Sequence, residues 1–330
     1  MLKKIIFSCL AVLLGIFLTL GLLLCIDLYL HKKFSKFAGL NYRGYRGEVV
    51  GKKEPGEIRI AMVGGSSVFG YGLTHDQAMP AHLERKLNSK IFSKDHELRR
   101  FTVLNLAYNG EGAYALYYNL KDFRYLNYNI VVFYSGYNDL NPKNRFVFRH
   151  SNPIFRLSGY MPILPMCITE KLKLVKRGGK YSNPVLHNFN AKDTVKIAAL
   201  EQMSHLSGGV ENTLNRIWVD NQENIPDSLD QWSWFLHYMK KAIDYALTEN
   251  KRVIVVLQPY FSDEHRKQQC ELKKMLVANY SGNSNLGYLD LGEFLSLKDS
   301  QVCFDGLHLT SSGYELVANR IADYLKSTVD

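Results

Sequence analysis

Cysteine and proline are scarce in this 330-residue chain, with five and nine respectively. That scarcity excludes a disulfide-stapled scaffold, and a 46% hydrophobic content excludes a mostly disordered or collagen-like chain. No group of histidines and cysteines has zinc-ligand spacing, so no metal is expected. The lysine of a P-loop is missing, and the glycines at 64, 65, 70 and 72 do not form the G-x-G-x-x-G of a dinucleotide fold, so no organic cofactor is implied. Repeats and low-complexity tracts are absent too. What the chain has in excess is positive charge, 41 Lys and Arg against 31 Asp and Glu. The excess suits an anionic surface such as phospholipid headgroups, but it is too diffuse to read nucleic acid, and no nucleic-acid partner is expected.

Charge is also missing from one long stretch. Between Lys4 and Asp27 the run Ile5 to Ile26 carries none and is rich in Leu, Ile, Phe and Val. A helix needs about 20 such residues to cross a bilayer. A cleaved secretory signal has a shorter apolar core, about 7 to 15 residues, followed by small residues at the cut. Cys25 follows Leu24, where lipidation of the cysteine favours a small residue. The expectation is a single-pass signal anchor. Lys3 and Lys4 precede the span while His31, Lys32, Lys33 and Lys36 follow it, so charge counting alone slightly favours a cytoplasmic domain. The plan of one N-terminal span before an enzyme-like domain argues instead for a periplasmic or extracellular location. Cys9 and Cys25 lie in the span, which leaves Cys167, Cys270 and Cys303 and room for at most one disulfide.

From Ile58 onward short apolar runs alternate with amphipathic stretches, the pattern of an α/β chain with a mostly parallel sheet covered on both faces. Strands are expected at Ile58–Val63, Thr102–Leu106, Ile130–Ser135, Val253–Gln258 and Gly287–Leu291. Helices are expected at Pro80–Ile91, Ala113–Phe123, Gln231–Thr248, Glu264–Tyr280 and Thr310–Leu325, with Thr310 as an N-cap. The chain divides into a tip and anchor (1–33), a juxtamembrane lead-in (34–57) and one domain (58–330). Between 141 and 230 the periodicity weakens, which reads as an insertion carrying helices of its own, for example Thr194–Met203. Its basic run, Lys171, Lys173, Lys176, Arg177 and Lys180, reads as a solvated face.

The sharpest local feature is Gly64-Gly65-Ser66-Ser67-Val68-Phe69-Gly70, directly after the first strand. Glycines allow a tight turn there, and a serine at a strand's C-terminal end faces the crevice where open α/β sheets bind ligands. Ser66 is a candidate nucleophile, set against a plain turn with a capping serine. A serine hydroxyl needs a base, and the base an orienting partner. Asp305-Gly306-Leu307-His308, before the last helix, supplies both, although alone it also reads as a capping aspartate beside an exposed histidine. Acyl transfer needs donors aimed at a developing oxyanion. Gly110, in Asn105-Leu106-Ala107-Tyr108-Asn109-Gly110, and Asn138, in Gly136-Tyr137-Asn138-Asp139, end the next two strands on the same rim. Tyrosines 108, 114, 117, 118, 134 and 137 suit aromatic packing better than a substrate cleft.

These four blocks, in this order and each at the end of a strand or before the last helix, resemble the SGNH hydrolase (GDSL-type esterase/lipase) superfamily. The resemblance runs from about Asn41 to the C-terminus apart from the insertion, because Asn41-Tyr42-Arg43-Gly44-Tyr45-Arg46-Gly47 is similar to the lead-in of membrane-tethered bacterial members. It implies Ser66 as nucleophile, His308 as base, Asp305 as the orienting acid, and Gly110 and Asn138 as oxyanion donors with the Ser66 N–H. It also implies a three-layer α/β/α fold, flavodoxin-like, with five strands in the order 2-1-3-4-5. The departure is Gly65, where the family usually has aspartate, and Ser67 stands next to the expected nucleophile. The expectation is a membrane-anchored ester hydrolase acting on a small-molecule, lipid or glycan ester. The alternatives are an O-acyltransferase using the same residues on a sugar acceptor and a non-catalytic binding domain. The sequence does not fix the oligomeric state.

Overall fold

The computed structural model describes residues 2–36, 39–89, 100–140, 143–176 and 230–329. Five parallel strands form one sheet: β1 (Ile58–Gly64), β2 (Phe101–Asn105), β3 (Ile130–Tyr134), β4 (Arg252–Leu257) and β5 (Leu286–Asp290), in the order β2-β1-β3-β4-β5. This is the expected order, and each expected strand is present with its boundaries moved by a residue. Apart from Arg59 in β1 and Arg252 at the start of β4, the three inner strands read as apolar runs because both of their faces are covered. Ala61, Val63, Val131, Phe133, Val253 and Val255 pack into one core, and Ile60, Met62, Val132, Tyr134, Ile254 and Val256 into the other, the two-residue alternation of a pleated strand.

The helices divide the same way. On the first face lie α4 (Ala113–Asp122), α7 (Gln231–Thr248) and α8 (Asp263–Tyr280). On the second lie α3 (Met79–Leu87) and α9 (Ser311–Val329), after the short α2 (Ser66–Phe69). The expected α3 ran to Ile91, but the helix stops at Leu87 because the Asn88 side chain turns to the edge strand: its Nδ2 donates to the Phe101 carbonyl at 2.8 Å and its Oδ1 accepts the Phe101 N–H at 3.0 Å. Glu84 accepts the Val103 N–H at 2.7 Å, so side chains occupy backbone groups that an open edge would expose. Thr310 caps α9 as expected, accepting the Gly313 N–H at 3.2 Å.

Between β3 and α7 the described residues form α5 (Pro153–Ser158) and α6 (Leu164–Lys176). The expected helix Thr194–Met203 lies outside the described residues, as does much of the basic run. The N-terminal helix α1 (Leu2–Phe34) carries the apolar run with its side chains exposed, and among the described residues it is the helix long and apolar enough to cross a membrane. Among the described residues no two cysteines form a disulfide.

Connections leave β1 in one direction to β2 and in the other toward β3, so the chain order reverses at the C-terminal ends of β1 and β3. Open α/β sheets form their ligand crevice at such a reversal. Ser66 follows β1 and Asn138 follows β3.

Candidate active site

The turn from β1 into α2 has no room for side chains. A Cβ on Gly64 would lie 2.2 Å from the Tyr134 carbonyl oxygen, and one on Gly65 would lie 2.2 Å from Asn138 Nδ2 and 2.7 Å from the Glu111 carbonyl oxygen. Gly65 thus admits the Asn138 amide to the space where an aspartate would stand, which gives the departure at this position a steric reason. The helix α2 ends at Gly70, a left-handed residue (φ +86°) whose N–H donates to the Ser66 carbonyl at 2.9 Å. Ser66 Oγ lies 2.8 Å from His308 Nε2. The neighbouring Ser67 hydroxyl is buried and has no partner among the described residues, which separates the two serines.

Asp305 and His308 form a compact turn. Asp305 Oδ1 accepts the N–H groups of Leu307 (3.0 Å) and His308 (2.6 Å), and Gly306 supplies the left-handed backbone (φ +83°) between them. Asp305 Oδ2 then meets His308 Nδ1 at 2.7 Å. Partial burial pushes the Asp305 carboxyl up, but the hydrogen bonds from His308 and Leu307 outweigh it and hold the pKa below the ordinary value. A carboxylate at Nδ1 makes that nitrogen the N–H donor and leaves the Nε2 lone pair facing the serine. Tyr71 and Phe304 flank the imidazole, with ring centroids 4.6 and 5.9 Å away.

The two expected oxyanion loops share this rim. Gly110 is left-handed (φ +79°) and its carbonyl accepts Asn144 Nδ2 at 2.8 Å, while neither its N–H nor that of Ser66 makes a hydrogen bond among the described residues. Asn138 Nδ2 donates to the Glu111 carbonyl at 2.8 Å, which uses one of its two protons and leaves one for another acceptor.

Sequence reading missed what holds these loops. Arg46, almost fully buried, donates from its guanidinium to the carbonyls of Phe69, Gly70 (2.9 Å) and Leu73 (2.6 Å), and so ties together the backbone at the exit of α2. Burial lowers its pKa to about 10. Beneath the second loop Glu111 and Arg149 form an ion pair with both side chains fully buried. Glu111 also accepts from Asn119 Nδ2 (2.7 Å) and the Phe148 N–H (3.0 Å), and Arg149 donates to the carbonyls of Gly44 (2.9 Å) and Leu106. Behind the third loop, a Cβ on Gly136 would strike the side chains of Gln258, Gln268 and Gln269. These glutamines bond the Tyr137 N–H and the Ser135 and Gly136 carbonyls. Asp139 is buried under α4, accepts the Ala113 N–H, and is pushed by burial to a pKa of about 7.

The aromatic residues resolve as packing. Tyr114, Tyr117 and Tyr118 meet Trp234, Tyr245 and His150 in the helical layer, and Tyr134 is buried. Tyr108, stacked on Phe148, and Tyr137, whose hydroxyl donates to the Pro259 carbonyl at 2.8 Å, lie in the rim loops. Among the described residues no group of three or more His, Cys, Asp or Glu side chains is placed to hold a metal ion.

No family model and no curated protein matches the chain. Solved structures do. A family 3 carbohydrate esterase from Clostridium thermocellum is 13% identical, with 82% of this chain and 96% of that one covered and a TM-score of 0.46. A putative lipolytic protein of the G-D-S-L family from Desulfitobacterium hafniense is 12% identical over 80% and 98% of the two chains, with a TM-score of 0.41. A lipase/acylhydrolase from Enterococcus faecalis is 15% identical over 82% and 96%, with a TM-score of 0.39. The solved structures similar to this chain are thus GDSL-type lipolytic proteins and carbohydrate esterases, the kind of protein its four sequence blocks resemble, at a similarity too low to assign it an activity.

Proposed function

We propose that this chain is a membrane-anchored serine esterase that cleaves an acyl or acetyl ester of a lipid or glycan. The observation that carries the reading is the hydrogen-bonded chain Ser66 Oγ, His308 Nε2, His308 Nδ1, Asp305 Oδ2, with links of 2.8 and 2.7 Å. Ser66 and His308 lie 242 residues apart, and turn chemistry alone does not bring such positions together.

In this mechanism His308 Nε2 takes the Ser66 proton as Oγ attacks the ester carbonyl. Negative charge then grows on the carbonyl oxygen, where the Ser66 N–H, the Gly110 N–H and the second Asn138 amide proton are the donors. The imidazolium formed in this step lies opposite the Asp305 carboxylate, with the Tyr71 and Phe304 rings beside it. His308 returns the proton to the leaving alcohol, and water repeats the sequence on the acyl-enzyme.

The anchor in this proposal is α1. Its apolar run, Ile5 to Ile26, is about 33 Å long at 1.5 Å per residue, against a hydrocarbon core of about 30 Å. The domain following it stands on the extracytoplasmic side. Hydrolysis of a chromogenic acetyl ester by the full chain in detergent tests the catalytic assignment. Ser66→Ala abolishes turnover and Ser67→Ala retains it; full activity in Ser66→Ala refutes the assignment.

A further inference from the structure

The C-terminal turns of α1 are built into the globular domain. Asp27, the first charged residue after the apolar run, is buried: its Oδ1 accepts the N–H groups of Ile163 (2.9 Å) and Leu164 (2.5 Å), and its Oδ2 accepts the Tyr160 hydroxyl at 2.5 Å. One turn later the two ring nitrogens of His31 lie 3.0 Å from the carbonyl oxygens of Leu40 and Met161. Carbonyls only accept, so both nitrogens carry protons and His31 is a cation, 3.3 Å from Asp27. The start of α6 and the turn before it are therefore held at the level where the apolar run ends.

That turn follows α5, which exposes Ile154 (47%) and Leu157 (66%) on one face and buries Pro153 and Phe155. Leu157 is three residues from Tyr160, a separation of at most about 10 Å of chain. Tyr160 in turn stacks on Tyr42, and Arg43 lies over the Tyr42 ring. Exposed leucine and isoleucine, paired tyrosines, and the exposed cations Arg43, Lys32 and Lys33 together make the composition of a headgroup boundary. The same wiring reaches the candidate site. Met166, two residues past Leu164, accepts from the Tyr108 hydroxyl at 3.3 Å, so the loop carrying Gly110 is on the anchor side of the domain.

We propose that α5 is an interfacial element: Ile154 and Leu157 enter the headgroup region of the bilayer that α1 crosses, and lay the domain against the membrane with the Gly110 loop on its near side. The proposal rests on the reading of α1 as a span, and it commits to phospholipid rather than to a second copy of the chain as the cover of this face. The test uses full-length protein in vesicles of phosphatidylcholine and phosphatidylglycerol, with Cys9 and Cys25 replaced by alanine. A polarity-sensitive fluorophore is placed at Leu157→Cys or at Leu14→Cys, each with Cys270→Ala, or on the native exposed Cys270. Lipids carrying a nitroxide near the headgroup quench the probe at 157 strongly and leave the probe at 270 bright, while a deep nitroxide quenches the probe at 14. A probe at 14 that is quenched beside one at 157 that responds only to aqueous iodide overturns the interfacial role alone. A probe at 157 shielded from both quenchers means that protein covers the face, which also overturns it. If the probe at 14 is not quenched by lipid, the anchor reading falls and this proposal with it.

Discussion

The two halves of the candidate site are held together by different means. The acid-base arm, Asp305 to His308, is a self-contained turn: the carboxylate bonds two N–H groups and a ring nitrogen within three residues of itself, and Asp305 remains 38% exposed. The nucleophile and oxyanion half is the reverse. Arg46, Glu111, Arg149 and the glutamines behind Gly136 are buried and reach across the chain to hold backbone carbonyls and N–H groups. A local turn can lose a side chain without unfolding its surroundings, whereas a buried charge that loses its partner cannot return to water.

The largest effect expected from this contrast lies in the exposed arm and in rate alone. His308→Ala lowers kcat about 10⁴-fold or more, as removal of a triad base does elsewhere, while the urea midpoint stays that of the parent. A parallel loss of stability would place His308 in the structural frame. In the buried half, Glu111→Gln leaves the Arg149 guanidinium uncompensated and costs about 3–5 kcal/mol of stability, read from urea unfolding. Little change would mean that the Gly44 and Leu106 carbonyls carry Arg149 without it. Gly65→Ala tests the boundary between the halves, because its Cβ displaces the Asn138 amide. A loss of about 10²-fold in kcat with a near-parental midpoint is expected, the size of one missing oxyanion donor.

The smallest effect is one of pH. Asp139 has a folded pKa of about 7 against an ordinary value of 3.8, so the fold favours its protonated form. Its contribution is fully present below pH 4 and is lost as pH rises through 7. Between pH 5 and 6 this costs up to about 1.4 kcal/mol, and Asp139→Asn removes that slope from a melting-temperature profile. An unchanged slope would assign the dependence to other groups.

The same contrast explains what was legible in the sequence. The strands at 58, 130 and 252 announce themselves because both faces are buried, and β5 is the faint one because it is a half-exposed edge whose Gly287 makes room for Tyr324. Asp305-Gly306-Leu307-His308 is legible because its geometry is local. Ser66 could be named, but its separation from Ser67 required the fold, since adjacent serines have the same chemistry in a string of letters. Arg46 lies in the Asn41–Gly47 lead-in with no side-chain spacing that points to the carbonyls it holds, and Arg149 lies 38 residues from Glu111 with nothing in the spacing to pair them. Both act on carbonyl oxygens that belong to no residue type, so no pattern of side chains reveals them. Asp139 lies in the Gly136–Asp139 loop, and its burial under α4 comes from the packing of α4 against β1.

The most direct test of the central claim is covalent. Full-length protein in detergent is treated with a fluorophosphonate, digested, and the modified peptide sequenced by mass spectrometry, beside the His308→Ala protein. Phosphonylation of Ser66 in the parent, lost in His308→Ala, is the predicted result. An unmodified Ser66 in folded protein, or an adduct on Ser67 in its place, would contradict the account.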